Sequence, residues 1–435
     1  MSELLLGGAH VVAMDDAGSE HPDGWVLVRD GLIAAIGSGQ EPAAGDRLDL
    51  GGAIVTPGLV NTHHHLYQTL TRARAQESTL FEWLVELYPV WAGLDAEAEY
   101  AAARTGLAEL ALSGCSTVFD HHYVFPRGRT GILEAELQAA RELGLRFVAS
   151  RGSMDLGAAQ GGLPPDSLVE TLDEILADTE RVAALADGDL LQIAVAPCSP
   201  FSVTRELMEE SAALARRLGL RLHTHLAETA DEDEFCRERY GCTPVEYLAD
   251  VGWLADDVWC AHCVHVRPDE LTRFARHGVG VAHCPASNLR LGAGVAPVRE
   301  MLDAGVHVGL GVDGSASNER SDLMYEVKQA LLVARARGGP AALTAREALR
   351  LGTRGGAEVL GREDIGSLEP GKSADFAIWA DDWIFSGAED PVAALVFGGP
   401  RTASGLVVAG RHVLESVVED EIVREHRKAA ARFVS

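Results

Sequence analysis

Short apolar runs crowd both ends of the chain, while the middle alternates such runs with longer stretches rich in Ala, Leu and Glu. Residues 3 to about 56 contain ELLLGGAHVVAMD, GWVLVRDGLIAAIG and LDLGGAIV, rich in β-branched residues and punctuated by Gly and Asp. This texture predicts strands joined by turns. SADFAIWA, AALVFGG and SGLVVAGRHVLE repeat it near the other end. Two strand-rich ends around a different middle predict one small β domain built from both termini.

From about Pro57 to Gly361 the apolar runs are GLVNTHHH, STVFDHH, RFVASRG, LQIAVAPCSP, RLHTHLAE, VWCAHCVHV, GVGVAHCP and HVGLGVDGS. Helical stretches such as AEYAAARTGLAELALSG and TRELMEESAALARRLG lie between them. Strands alternating with helices predict parallel βα units, and eight of them close a barrel. The expected fold is α/β: a (β/α)8 TIM-like barrel over 57–361, with a small β-sandwich domain from 1–56 plus 362–435.

Composition narrows the function. The 435 residues are 47% hydrophobic and 23% charged, ordinary for a globular chain. A net charge of −28, from 37 basic and 65 acidic side chains, argues against nucleic acid as a partner. The start, MSELLLGGAHVVAMDD, lacks the pattern of a signal peptide, and no apolar run is long enough to span a membrane. Seven scattered cysteines fit reduced thiols in a cytoplasm.

Polar groups recur directly after the apolar strands: His63, His64 and His65; His223, His225 and Glu228; His262 and His265; His283; Asp313. In a barrel these strand ends meet at one face. His-x-His on a strand sets two imidazoles on one side. A third His and a carboxylate from other strands complete a shell with an open position for water, which suits zinc. Cys260 and Cys263 form a CxxC with no second pair, which reads as core packing. The His-x-Glu and Pro-Cys-x-x-Cys pattern of small zinc nucleobase deaminases is absent.

As a set, PGLVNTHHHLYQTL, RLHTHLAE, WCAHCVHV, AHCPASN, VGLGVDGSASN and IGSLEPGKSADFAIW resemble the amidohydrolase superfamily, in its cytosine/guanine-deaminase-like branch. The resemblance covers nearly the whole chain. It implies that His63, His65, His225 and Asp313 bind one divalent ion, Zn2+, with Fe2+ or Mn2+ also compatible. It makes Glu228 the proton shuttle, His262 the group that polarises water or substrate, and Asp313 also the acceptor of the water's proton. His223 competes with His225, and the HxxE spacing favours His225. His265 competes with His262 but falls further along the chain. His283 either lines the pocket or buttresses its strand. Two-metal relatives carry a Lys at the end of strand four, and LQIAVAPCSP has none, which argues for one ion.

The implied reaction is hydrolytic deamination of a purine-like heterocycle. HHHLYQTLTRA, TLFEWLVELYPVWAGL, DHHYVFP and DPVAALVFGGP are similar to bacterial 8-oxoguanine deaminases, which form urate and ammonia. Guanine, isoxanthopterin, S-adenosylhomocysteine and s-triazines are the alternative substrates, the last by deamination or chlorohydrolysis. A non-catalytic structural relative is the remote alternative, and the intact ligand set speaks against it. Gln68 is expected to pair with an N–C=N edge, and Trp83, with Tyr88 and Trp91 nearby, to stack on a flat ring or pack its own excursion. Arg151 either meets a substrate carbonyl or forms a salt bridge with a neighbouring helix. Tyr123 is a further candidate. The family habit implies a homo-oligomer.

Overall fold

The computed structural model describes residues 3–382, 385 and 387–433. The N-terminal segment forms β1 (Glu3–Val12), β2 (Glu20–Arg29), β3 (Leu32–Ser38), β4 (Asp46–Asp49) and β5 (Ile54–Pro57). The barrel follows: β6 (Leu59–Asn61), β7 (Cys115–Asp120), β8 (Arg146–Ser153), β9 (Leu191–Pro197), β10 (Arg221–Leu226), β11 (Val258–His262), β12 (Gly280–His283) and β13 (Val308–Leu310). Last come β14 (Phe376–Trp379), β15 (Gly405–Val408) and β16 (Arg411–His412).

β6 to β13 pair in parallel, and β13 closes on β6 through Leu310 and Asn61. All eight strands expected from the apolar runs are present. The terminal strands form a separate sheet in the order β16-β15-β14-β5-β1-β2-β3, with β4 also pairing β1. That sheet has its own core, including Leu6, Val11, Val26, Val55, Phe376 and Val407. Among the described residues no helix is long and apolar enough to cross a membrane.

Local signals start and stop the first helices. Thr79 opens α1 (Leu80–Trp91) with a capping box to Glu82. Asp95 caps α2 (Ala96–Leu112) by accepting from the Ala98 N–H at 3.0 Å. α3 (Ile132–Leu143) ends at Gly144, whose φ of 75° is the left-handed stop that glycine supplies. At β13 a different constraint acts: a Cβ on Gly309 would meet the Gly356 Cα at 2.8 Å, so only glycine lets that strand approach its helix.

Two layers of apolar contact hold the barrel. Inside, Val60, Phe119, Val148, Ala194, Trp259 and Ala282 fill the lumen. Outside, Leu59, Phe147, Ala149, Leu222, Leu226 and Leu310 pack under the helices.

One expected strand is a helix. AALVFGG belongs to Pro391–Gly398, because Asp390 accepts from the Ala393 N–H and Pro391 is pre-set for the first turn. Val392, Leu395 and Val396 then bury together at helical spacing. The C-terminal helix Glu419–Ala430 packs on α2, where Arg104 reaches Glu421 at 3.0 Å and Glu425 at 2.6 Å.

Arg146 of β8 ties the barrel to the terminal sheet. Its guanidinium donates to Asp375 at 2.5 Å and to Ser373, and Asp375 accepts from the Ala409 N–H at 2.7 Å. Asp375→Ala leaves a buried guanidinium unpaired and is expected to cost about 3–5 kcal/mol. Denaturant unfolding checks this, and a loss within about 0.5 kcal/mol, the range of ordinary surface changes, would refute the role given to this pair.

Candidate active site

Strand alternation decides which groups meet. On β10, Leu222 and Leu226 pack outward, so His223 and His225 project inward. His63 and His65 follow β6, and Asp313 follows β13. The Asp313 N–H donates to the His63 carbonyl at 3.1 Å and locks the two strand ends together.

The hydrogen bonds fix the imidazole tautomers. His65 Nδ1 lies 2.7 Å from the His121 carbonyl, and His225 Nδ1 lies 2.5 Å from the Cys198 carbonyl. A carbonyl only accepts, so each Nδ1 carries the proton and each Nε2 is a bare lone pair. Those two Nε2 atoms nevertheless face each other at 3.1 Å. His223 Nδ1 donates to the Trp259 carbonyl at 3.0 Å, so its Nε2 accepts from His63 Nδ1 at 2.9 Å. That leaves His63 Nε2 bare, buried and without a hydrogen-bond partner.

Asp313 Oδ1 sits 3.3 Å from Nε2 of both His63 and His65. Burial lowers the His63 pKa to about 3 and that of His225 well below the usual value, so neither brings a proton. Three lone pairs and a carboxylate oxygen converging with no hydrogen among them repel unless a cation lies between. The donor set of imidazole nitrogens and one carboxylate suits a divalent metal.

Surrounding groups hold this arrangement. Asp313 is buried beside His63 and His65. Its Oδ2 accepts from Ser287 at 2.5 Å and Ser317 at 3.3 Å. Burial, and then the Asp313 charge, push Glu228 well above its ordinary value. His262 donates from Nδ1 to Asn288 Oδ1 at 2.9 Å, leaving Nε2 bare at 3.6 Å from Glu228 and 3.9 Å from Asp313. His262, Cys263 and Asp313 have φ of 70°, 48° and 62°, left-handed positions that cost non-glycine residues about 1–3 kcal/mol each. This strain lies within the site.

Beside these groups opens a cavity lined by Gln68, Trp83, Tyr88, Tyr123 and Glu228 among others. Gln68 is buried, with its Oε1 unpartnered, and Trp83 donates Nε1–H to the Ala316 carbonyl at 3.2 Å. Tyr123 meets His65 edge-on at 5.1 Å between centroids. Trp91 is not among the cavity residues; its Nε1–H donates to Thr71.

Arg151 is not brought to the cavity. Val148 faces the lumen, so Arg151 has the outward parity of Phe147 and Ala149. It pairs there with Asp178 at 2.6 Å and Glu170 at 2.7 Å, and lies over the Phe125 ring. The alternative of a salt bridge to a neighbouring helix is what the structure has. His64 turns away to Ser321 at 2.8 Å, and His265 bonds the Ala293 carbonyl. His283 is buried outside the cavity lining. Cys260 and Cys263 are unpaired and pack in the core.

His121 escaped sequence reasoning. Its Nε2 donates to the Ala196 carbonyl at 2.9 Å, and its ligand nitrogen groups with those of His63, His65 and His225. Its place after β7, in DHH, was the available signal. Asn288, Ser287 and Ser317 carried none, since isolated polar residues in loops look alike.

A (β/α)8 barrel with His and Asp side chains converging at its strand ends defines the class of metal-dependent barrel hydrolases. Residues 54–413 match the model of the Amidohydrolase family, and the chain belongs to that family. It is 46% identical to an 8-oxoguanine deaminase of Pseudomonas aeruginosa, covering 95% of each chain. It is 38% identical to an isoxanthopterin deaminase of an unknown prokaryotic organism, over 99% of this chain and 95% of that one. The zinc complex of an atrazine chlorohydrolase from Arthrobacter aurescens TC1 superposes with a TM-score of 0.93 at 35% identity, over 98% of this chain and 100% of that one.

Gly314 packs directly on Gln68: an added Cβ would lie 1.9 Å from Gln68 Oε1. Gly314→Ala is expected to swing the carboxamide to another rotamer at a stability cost of about 1 kcal/mol. A crystal structure of the variant reads this directly, and an unmoved Gln68 would show the packing to be wrong.

Proposed function

We propose that this protein is a mononuclear metal-dependent aminohydrolase that deaminates 8-oxoguanine to urate and ammonia. The carrying observation is the set of bare imidazole lone pairs and the Asp313 oxygen converging beside the Glu228 carboxyl, which burial pushes above its ordinary value. Supporting the substrate is the 46% identity to the Pseudomonas aeruginosa deaminase.

In this reading His63, His65, His225 and Asp313 hold one Zn2+. The choice of zinc leans on the zinc complex of the related chlorohydrolase, and a single ion on the lack of Lys in β9. When bound, the ion supplies Lewis acidity that makes water a stronger acid. Asp313 takes the proton that water loses as its oxygen adds to the ring carbon bearing the amine. Glu228 gives its proton to the adjacent ring nitrogen, and returning protons let ammonia leave. His262, with its proton fixed on Nδ1 by Asn288, presents Nε2 as an acceptor and orients the attacking water. Gln68 donates and accepts at the N–C=N edge, and Trp83 and Tyr123 cover the ring and exclude water. Residues 57–361 carry this chemistry, with 1–56 and 362–435 as the accessory domain. Unpaired cysteines fit a cytoplasmic setting.

Glu228→Gln is expected to lower turnover by about 10²–10⁴ while metal content stays unchanged; near-wild-type ammonia release would remove the proton shuttle from the scheme. Chelation should abolish activity and zinc restore it. In a panel with guanine, isoxanthopterin, S-adenosylhomocysteine and s-triazines, 8-oxoguanine should give the highest kcat/KM. Chloride release from a chlorotriazine in preference to ammonia from any purine would favour the chlorohydrolase reading.

A further inference from the structure

Behind the active site, on the helix side of β7, lies a second group of ligand-bearing side chains. Glu99 of α2, Glu136 of α3 and His122, two residues past β7, present ligand atoms all within 4.8 Å of one another. All three side chains are fully buried. Neither oxygen of Glu99 has a hydrogen-bond partner, and neither does His122 Nδ1. Among the described residues no Lys or Arg pairs with either carboxylate. Asp120 contacts Glu136 from the strand side and brings a third carboxyl, with Oδ2 also unpartnered.

The imidazole is the informative member. His122 Nε2 lies 2.9 Å from the Val124 carbonyl, which can only accept, so the proton is on Nε2. Nδ1 is therefore a lone pair, and it faces Glu99 Oε1 at 3.7 Å and Glu136 Oε2 at 3.9 Å. These gaps are too long for hydrogen bonds. They match donors arranged roughly 2.0–2.2 Å from a shared ion. Buried carboxyls without a basic partner either hold protons or bind a metal, and a dication would balance two of the three as carboxylates.

We propose that Glu99, His122 and Glu136 form a second, structural divalent-cation site, separate from the catalytic one. Its oxygen and imidazole donors suit Zn2+ or Mn2+. The ion would pin α2 and α3 to the segment after β7. That segment includes His121, whose carbonyl sets the His65 tautomer. Hence the site would brace the catalytic centre without touching substrate.

The test is a count of metal on the full chain, stripped by chelation and reloaded with Zn2+ or with Mn2+, using mass spectrometry. Wild type should hold two ions per chain, and E99Q and E136Q one each. A His63→Asn/His65→Asn double variant, which breaks the catalytic cluster, should keep one. Anomalous diffraction from wild-type crystals should place a peak between Glu99, His122 and Glu136, whether or not the Glu variants fold. One ion in wild type, none in the double variant, or no peak at that position would overturn the proposal and leave protons as what neutralises the cluster.

Discussion

The architecture of the site rests on a scarcity of protons. Backbone carbonyls of His121, Cys198 and Trp259 each claim an imidazole N–H, directly or through His223, and so strip the opposite ring nitrogens of hydrogen. Once the barrel closes, those bare nitrogens and the Asp313 carboxylate face one another across about 3 Å. The main chain thus builds the electrostatic demand for a cation. Barrel packing must meet the cost of holding these groups together before any ion arrives.

The shape of the cavity has a different source. Chemistry-bearing groups stand on strand ends anchored by the lumen core, whereas Gln68 and Trp83 come from the excursion between β6 and β7. α1 folds there on its own capping box, and its apolar face, with Tyr88 and Trp91, joins Tyr67 and Tyr123 in a core separate from that of the barrel. The strand-end cluster and the cavity wall are therefore supported by distinct sets of contacts.

Much of this was readable from the chain. Eight apolar runs, each ending in a polar group, place His63, His65, His225 and Asp313 at one face, because the barrel turns sequence position into spatial convergence. Local periodicity failed where two periods compete. AALVFGG is apolar at both strand and helix spacing, and the Asp-Pro start decides for helix. Arg151 shows the limit of strand-end logic: one step in register separates the lumen from the helix layer, and the sequence does not mark where parity is counted from. His121 and Asn288 act through partners far along the chain, so their roles become visible only with the fold.

The separation of the α1 excursion from the strand ends bears on how such a scaffold diversifies. Exchanging a stretch of about thirty residues would remodel the walls around a heterocycle while the hydrolytic apparatus stayed in its own frame. Inheritance can then tinker with diet and leave the reaction alone. A chlorohydrolase at 35% identity and a deaminase at 38% identity are both relatives of this chain, the divergence expected when appetite and chemistry occupy separable parts of one chain.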